Sequence, residues 1–244
     1  MRQRTLFWWF YQPYKWLVFI PLVVATTLVF ATFALGLRLF LDAGTASRLA
    51  AVPWARLNSW LTPMRVRVEG RDFVDPNQSY VLISNHQSHY DIFVLYGWLD
   101  IDFKWVMKKE LRQVPGLGAA CARLGHIFID RSNRKAALAT LEGAKARVVD
   151  GTSVIFFPEG TRSPDGRLME FKKGAFRMAL DLGLPILPLT VVGSRKILPA
   201  RSIDLMPGSV RLVIHPPIST DGCTVEDVPR LIEEARQTIA SALG

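Results

Sequence analysis

The chain of 244 residues is half hydrophobic and carries 30 Lys and Arg against 21 Asp and Glu residues, a net charge of +9. Its length suits one domain, with or without an appendage, and the basic balance favours an acidic partner, anionic lipid first. The two cysteines, Cys121 and Cys223, form neither a disulfide framework nor a zinc pattern, so a reducing cytosol is the default environment. No nucleic-acid-binding motif is present, which excludes DNA and RNA as partners.

An uncharged apolar run extends from Trp16 to Leu37, bracketed by Lys15 and Arg38. As a helix it would reach about 33 Å, enough to cross the hydrocarbon core of a bilayer. The aromatic residues before it suit the headgroup region. The following stretch, 46–61, is too charged for a second span but suits an interfacial helix. The residues are compatible with two kinds of membrane anchor. One is a single transmembrane helix, and the other is a helical pair that lies in one leaflet.

From residue 64 onward, patterns of strand and helix alternate. Strands are predicted at 66–68, 80–83, 103–107, 126–129, 153–157, 186–192 and 210–215. Helices are predicted at 92–96, at 110–124 with a break near Pro115, after a cap at Ser132 or Asn133, at 173–182, and after a cap at Thr224. About seven strands interleaved with helices predict an α/β fold with a mixed, largely parallel sheet flanked by helices. We therefore divide the chain into anchoring helices, 1–63, and an α/β domain, 64–244.

The stretch 84–91, Ser-Asn-His-Gln-Ser-His-Tyr-Asp, joins a predicted buried strand to a predicted helix. His86 and Asp91 lie on this turn, five positions apart. An imidazole can accept a proton near neutral pH, and a carboxylate can orient it and stabilise the imidazolium. The pair suits activation of a hydroxyl or thiol, although structural turns use the same residue types. A metal site with His89 is a weaker alternative, because no other His or Cys cluster supports it.

Later stretches also place polar groups directly after predicted strands. Arg131 ends one strand, and Glu159-Gly160-Thr161-Arg162 follows another. Glycine lets a ligand approach the backbone, and arginine offers two parallel donors to a phosphate, although a salt bridge and an ordinary loop would use the same residues. Lys172 and Lys173 precede a predicted helix, an unusual place for cations unless an anion docks there.

Several familiar catalytic patterns are absent or incomplete. The stretch 116–121, Gly-Leu-Gly-Ala-Ala-Cys, follows a proline rather than a strand and ends in cysteine, so it is not a dinucleotide fingerprint. The sequence contains neither a Gly-x-Ser-x-Gly elbow nor a phosphate-binding P-loop. A serine hydrolase and an NTPase therefore lack their central parts.

Taken together, these stretches resemble the glycerophospholipid acyltransferase superfamily. Within it, they resemble the 1-acylglycerol-3-phosphate acyltransferases most. Four motifs match in order over roughly residues 66–200. They are Asn85-His86-x-Ser88-x-x-Asp91; Lys108, Leu111, Gly118 and Arg131 at the spacing Lys-x2-Leu-x6-Gly-x12-Arg; Phe157-Pro158-Glu159-Gly160-Thr161-Arg162-Ser163; and the apolar, proline-containing 184–189. The helices before them and the last 40 or so residues are less diagnostic.

The resemblance implies roles for individual residues. His86 would be the general base and Asp91 its orienting partner, while Arg162, with Lys108 and Arg131, would hold the phosphate of the acceptor. The remaining motif residues would complete the substrate site. The hydroxyl of Ser88 would do so by stabilising the turn. They are Asn85, Ser88, Glu159, Gly160 and Thr161.

The resemblance also implies the reaction, which moves a fatty acyl chain from an acyl thioester to the 2-hydroxyl of lysophosphatidate and gives phosphatidic acid. It implies acyl-coenzyme A or acyl carrier protein as donor, with no cofactor and no metal. Membrane lipid would be a partner, the α/β domain would face the cytosol at the inner membrane, and a monotopic helical pair becomes the favoured anchor. Two alternatives remain, a related acyltransferase with another acceptor (glycerol-3-phosphate, a lyso-ornithine lipid or another lysophospholipid) and a non-catalytic protein that binds anionic lipid.

Overall fold

The computed structural model describes residues 6–148 and 151–243, and it begins with one long helical segment. Helix α1 (Leu6–Tyr14) continues through a π-helical turn (Lys15–Phe19) into α2 (Ile20–Leu37). The N–H of Ile20 donates to the carbonyl of Lys15, five residues back. Pro21 follows directly and has no N–H to continue the α-helical pattern, which accounts for the wider turn at this point.

The apolar run of the sequence lies within this helical segment. Residues Trp8–Leu37 form one helix that is long and apolar enough to cross a membrane, by length and composition. Only 17% of its most hydrophobic window is buried within the protein. The first five residues of the predicted anchor, 1–5, lie outside the described residues.

Helix α3 (Ala43–Leu61) begins earlier than the sequence analysis predicted. Asp42 is the N-terminal cap of this helix, and its carboxylate accepts hydrogen bonds from the N–H groups of Gly44 and Thr45. The helix packs against α2 on one side and on the first helix of the α/β domain on the other. The division of the chain after residue 63 stays a prediction.

The α/β domain contains a seven-stranded sheet in the order β1-β7-β6-β2-β5-β3-β4. All neighbouring strands are parallel except β6 and β7. The mixed, largely parallel sheet of the sequence prediction is therefore confirmed. The strands are β1 (Met64–Glu69), β2 (Val81–Ser84), β3 (Phe103–Lys108), β4 (Ile127–Ile129), β5 (Ser153–Phe156), β6 (Ile186–Val192) and β7 (Gly208–Ile214).

The helices of the α/β domain follow the predicted pattern with two differences. The predicted helix at 110–124 begins as a 3-10 turn (Lys109–Gln113) instead of an α-helix. The break predicted near Pro115 is confirmed at Gly116, whose φ is 73°, and a short helix follows it. A helix of one turn, α8, was not predicted. The helices are α4 (Tyr90–Trp98), α5 (Leu117–Arg123), α6 (Arg134–Ala144), α7 (Gly174–Leu182), α8 (Ser194–Ile197) and α9 (Val228–Ser241).

Two predicted helix starts are confirmed by their caps. The Asn133 side chain accepts the N–H of Ala136, and Thr224 forms a capping box with Asp227.

Two apolar layers cover the faces of the sheet. On one face, buried residues of α4 pack with Ala55 of α3 and Phe19 of the π-helical turn. On the other face, α6, α7 and α9 cover the central strands. Helix α4 follows β2 in the middle of the sheet, so the segment between them lies where the carboxyl ends of parallel strands meet, the usual position of a ligand site in such folds.

Candidate active site

The turn between β2 and α4 is fixed by Asn85, which is 1% exposed. Its side-chain NH2 donates to the carbonyl of Val191 at 2.9 Å, and its oxygen accepts the N–H of the same residue at 2.8 Å. Ser88 donates its hydroxyl to the carbonyl of Leu198 at 2.7 Å and accepts the N–H of Tyr90. Both side chains support the turn, and their direct contact with substrate stays a prediction.

His86 and Asp91 are joined by a hydrogen bond. The Nδ1 atom of His86 lies 2.8 Å from Oδ2 of Asp91, which is 0% exposed. The same oxygen accepts the N–H groups of Gln87 at 2.8 Å and Ser88 at 2.9 Å. Because a carboxylate can only accept hydrogen bonds, the proton lies on Nδ1, and Nε2 of His86 is left to accept a proton from a ligand.

A second loop, 157–163, lies against this turn. The Glu159 carboxylate accepts the N–H of His86 at 2.7 Å, and the N–H of Ser163 donates to the carbonyl of His86 at 2.8 Å. The Phe157 ring stacks on the imidazole with a centroid distance of 3.8 Å. The backbone and the ring of His86 are thus held on several sides, which fixes the direction of Nε2.

A cavity of about 690 Å³ opens beside His86. Its walls come from α2, α3, β3 and α5 and are mostly apolar. Small side chains on the two N-terminal helices, Ala31, Ala34 and Ala50, keep the space open between them and the α/β domain. The volume lies in the usual range for sites that enclose most of a small molecule. The site therefore combines a base with an apolar chamber.

Cations line the same cavity at its polar end. Lys108, Arg131 and Arg162, which the sequence analysis assigned to a phosphate, are all part of the lining. Lys108 also pairs with Glu110 at 3.4 Å, and Arg131 donates to the carbonyl of Gly160 at 2.6 Å. Arg162 forms no ion pair with a carboxylate of residues 6–148 or 151–243, so its guanidinium is available to a ligand.

The electrostatic environment changes two pKa values near the base. Burial raises the pKa of the Glu159 carboxyl, against the effect of the two N–H groups that bind it. Desolvation, and then the positive charge of Arg162, lower the pKa of His89 to about 4, so this residue is neutral at pH 7. His89 and His86 both line the cavity. Among the described residues no group of three His, Cys, Asp or Glu side chains is arranged to hold a metal ion.

The cavity also contains a polar pair that the sequence analysis did not identify. The Tyr96 hydroxyl lies 2.7 Å from Nε2 of His126, whose Nδ1 accepts the N–H of Trp105. Burial lowers the pKa of His126 to about 3, so the imidazole is neutral, with its proton on Nε2. No motif marks this pair, because its members come together only through the pairing of β3 with β4 and the packing of α4.

The sequence-predicted site residues come together at one place. His86, Lys108, Arg131, Gly160, Thr161 and Arg162 line the cavity, while Asn85, Ser88, Asp91 and Glu159 hold the turn and loop behind it. The walls contributed by α2 and α3 were not predicted, since their alanines carry no chemical signal in the sequence.

Comparison with known protein families gives one match that covers this site. The model of the Acyltransferase family matches residues 65–192, which include β1 through β6 and every predicted site residue. The matched part is thus the α/β domain up to the end of β6, without α8, β7 and α9.

Individual proteins are similar over a longer range. A 1-acyl-sn-glycerol-3-phosphate acyltransferase of Pseudomonas aeruginosa is 32% identical over 93% of this chain and 87% of its own length. Proteins of that name from Chlamydomonas reinhardtii and human (the alpha form) are 34% and 33% identical, over 73% and 74% of this chain. The chain spans about half the length of the algal and plant relatives, 53% in the Chlamydomonas protein.

A solved structure has the same fold. The crystal structure of a 1-acyl-sn-glycerophosphate acyltransferase from Thermotoga maritima superposes with a TM-score of 0.78 and 27% identity, covering 93% of each chain. The similarity therefore includes the N-terminal helices and the sheet together.

Proposed function

Because this chain belongs to the Acyltransferase family, we propose that it transfers a fatty acyl chain from an acyl thioester to the 2-hydroxyl of 1-acylglycerol-3-phosphate, giving phosphatidic acid. One observation carries the proposal. The His86–Asp91 pair lies beside a chamber that is apolar along its walls and cationic at one end. A lysophosphatidate and an acyl thioester together present a hydroxyl, apolar chains and a phosphate. The names of the relatives describe this same activity.

The reaction needs a single base. Nε2 of His86 takes the proton of the 2-hydroxyl, and the oxygen attacks the carbonyl carbon of the thioester. When the tetrahedral intermediate collapses, the C–S bond breaks and the thiolate takes the proton from Nε2. Asp91 holds the imidazole in the required tautomer and stabilises its positive charge between the two transfers. The step consumes no cofactor and forms no acyl-enzyme.

The developing oxyanion needs N–H donors that are not already used. The N–H of Gly160 donates to the carbonyl of Phe157 at 2.9 Å and is therefore already used. The N–H groups of Thr161 and Arg162 have no acceptor among the described residues, and both residues line the cavity. We therefore assign the oxyanion to these two groups.

The two ends of the cavity suit the two kinds of substrate group. The apolar walls between α2, α3 and α5 accommodate a fatty acyl chain, and the free guanidinium of Arg162 suits a phosphate monoester. The donor is acyl-coenzyme A or acyl carrier protein, both acidic molecules of the cytosol that suit a chain with a net charge of +9.

We further propose a monotopic anchor at the cytoplasmic membrane, with the active site on the cytosolic side. The Lys15 ammonium donates to the carbonyl of Ile203 at 3.2 Å, and Arg38 donates to the carbonyl of Arg123 at 3.1 Å. The helix between Lys15 and Arg38 is about 35 Å long, yet both ends contact the same α/β domain. A helix that crosses a bilayer carries one end to the far side, so this geometry supports a helix that lies in one leaflet.

The anchor can be tested on its exposed apolar face. Val29 and Phe33 are 64% and 47% exposed and lie one turn apart on α2. We expect the double change Val29→Ser and Phe33→Ser to weaken binding to vesicles of phosphatidylcholine and phosphatidylglycerol roughly 10²-fold, the loss of about two buried apolar side chains. Flotation of the purified chain measures it.

Val225→Ser is the matched control for this test, because Val225 is 55% exposed and precedes α9, away from the anchor. Equal flotation of the double variant and the wild type would contradict the proposed anchor.

The activity is tested by offering lysophosphatidate and glycerol-3-phosphate side by side to the full chain, with labelled acyl-coenzyme A or acyl carrier protein. We expect labelled phosphatidic acid from lysophosphatidate and no product from glycerol-3-phosphate. If acyl transfer occurs only to glycerol-3-phosphate, then glycerol-3-phosphate is the acceptor and the proposal of lysophosphatidate is wrong. Transfer to neither acceptor from either donor, by a folded protein, would refute the proposed activity.

A further inference from the structure

Lys172 is attached through its backbone to the loop that carries Arg162. Its N–H donates to the carbonyl of Pro158 at 2.9 Å, and three residues earlier the N–H of Met169 donates to the Glu159 carboxylate at 3.0 Å. These two bonds tie the segment before α7 to the beginning of the loop beside His86. The position of Lys172 relative to that loop is therefore fixed.

The side chain of Lys172 lies against the backbone of Gly160. A methyl group added to Gly160 would lie 2.6 Å from Nζ and 2.9 Å from Cε of Lys172, so the ammonium is in close contact with this glycine. Gly160 also has a φ of 74°, a conformation that other residues rarely adopt. Its carbonyl accepts the guanidinium of Arg131. Gly160, which lines the cavity, thus lies between two cations.

Within the described residues, the ammonium of Lys172 has no carboxylate as a counter-charge. It is exposed, and no carboxylate within residues 6–148 and 151–243 forms an ion pair with it. The carboxylate of Glu159, in the same loop as Gly160, already accepts the N–H groups of His86 and Met169 through its two oxygens. Lys109, by contrast, is paired with Asp130 at 2.6 Å.

The location makes an unpaired cation unfavourable. Lys172 and Lys173 directly precede α7, and the first turn of a helix carries free N–H groups with partial positive charge. No side chain caps this end of α7. Two lysines at this point repel the helix dipole, and a bound anion would reverse that effect.

We propose that Lys172 is a further contact for the phosphate of the lysophosphatidate acceptor, acting with Arg162. The inference rests on the proposed function. The ammonium neighbours Gly160, which lines the cavity and lies two residues before Arg162, so the two cations lie beside the same loop. A phosphate monoester carries up to two negative charges at neutral pH and has three acceptor oxygens, enough for an arginine and a lysine together.

The test compares two adjacent lysines. Lys172→Met removes the proposed contact, and Lys173→Met removes the same charge one residue later, where the side chain has no such position over Gly160. Acyl transfer is measured in mixed micelles with lysophosphatidate and the donor varied in turn. We expect Lys172→Met to raise the KM for lysophosphatidate roughly 5- to 10-fold with little change in kcat or donor KM, the size of one lost charge-assisted hydrogen bond at an exposed site. Lys173→Met leaves all three parameters near the wild-type values, and Lys172→Arg restores most of the acceptor affinity.

Each other result overturns the inference. If Lys172→Met leaves the KM for lysophosphatidate unchanged, Lys172 does not contact the acceptor. If only the KM for the acyl donor rises, the ammonium binds the donor instead. If Lys173→Met raises the KM for lysophosphatidate as much as Lys172→Met does, the effect comes from general surface charge and not from a contact of Lys172. Melting temperatures equal to that of the wild type exclude unfolding as the cause. If the wild type itself does not acylate lysophosphatidate, the proposed function fails, and this inference fails with it.

Discussion

Replacing His86 by alanine is expected to lower kcat for acyl transfer to lysophosphatidate by at least about 10²-fold, the usual contribution of a general base. Among the described residues, no other side chain on the cavity wall is an equivalent base. His89 also lines the cavity, but no carboxylate of these residues binds its ring, and its pKa of about 4 makes it a weak proton acceptor. Initial rates at saturating donor and acceptor measure the effect on kcat directly.

The change also removes a ring that stacks on Phe157 at 3.8 Å, so packing needs its own control. His86→Gln keeps a planar side chain of similar reach beside Phe157 but cannot accept a proton from the hydroxyl. We expect both variants to lose activity to a similar extent while keeping the wild-type melting temperature within a few degrees. Near-normal turnover in either folded variant would remove His86 from the reaction.

The sequence predicted the meeting of His86 and Asp91 because both residues lie on one turn. His86 and Asp91 lie five residues apart between a strand and a helix, and the structure joins them by a hydrogen bond. The buried strand before them and the apolar helix after them fix the turn at the edge of the sheet. Short-range chemistry was enough to predict that these two side chains would meet.

The contacts that complete the site are long-range, and no sequence pattern shows them. Glu159 reaches the N–H of His86 across 73 residues of chain, and Asn85 is fixed to Val191 across 106. The position of Lys172 over Gly160 likewise depends on a backbone bond between residues 172 and 158. Such contacts are decided by the order of strands in the sheet, which composition and periodicity do not specify.

The walls of the cavity were missed for a different reason. The sequence analysis considered the N-terminal helices only as an anchor, because their run of apolar residues suits lipid. In the structure Ala31 of α2 and Ala50 of α3 face the chamber beside His86. The same two helices therefore provide both the surface that suits the membrane and part of the chamber wall, and small residues make the second role possible.

Two substitutions of Asp91 distinguish its effect on the conformation of the turn from the effect of its negative charge on the imidazole of His86. Oδ2 of Asp91 accepts three hydrogen bonds, from Nδ1 of His86 and from the N–H groups of Gln87 and Ser88, while Oδ1 has no partner within the described residues. In Asp91→Asn the amide oxygen can take the place of Oδ2 and keep the three bonds, so the turn survives. The negative charge opposite the imidazolium is lost, and we expect kcat to fall by roughly 10²-fold.

Asp91→Ala removes the acceptor itself and leaves two buried N–H groups without a partner, at a cost of about 1–3 kcal/mol each. We expect it to lower the melting temperature, which Asp91→Asn does not, and to lower kcat as far as His86→Ala does. Because Asp91 acts on the reaction through His86, adding Asp91→Ala to His86→Ala should change kcat little further. Measured rates of the two single variants and the double variant decide this. If the two losses multiply in the double variant, Asp91 contributes to the transition state independently of the imidazole, and the role assigned to the pair is wrong.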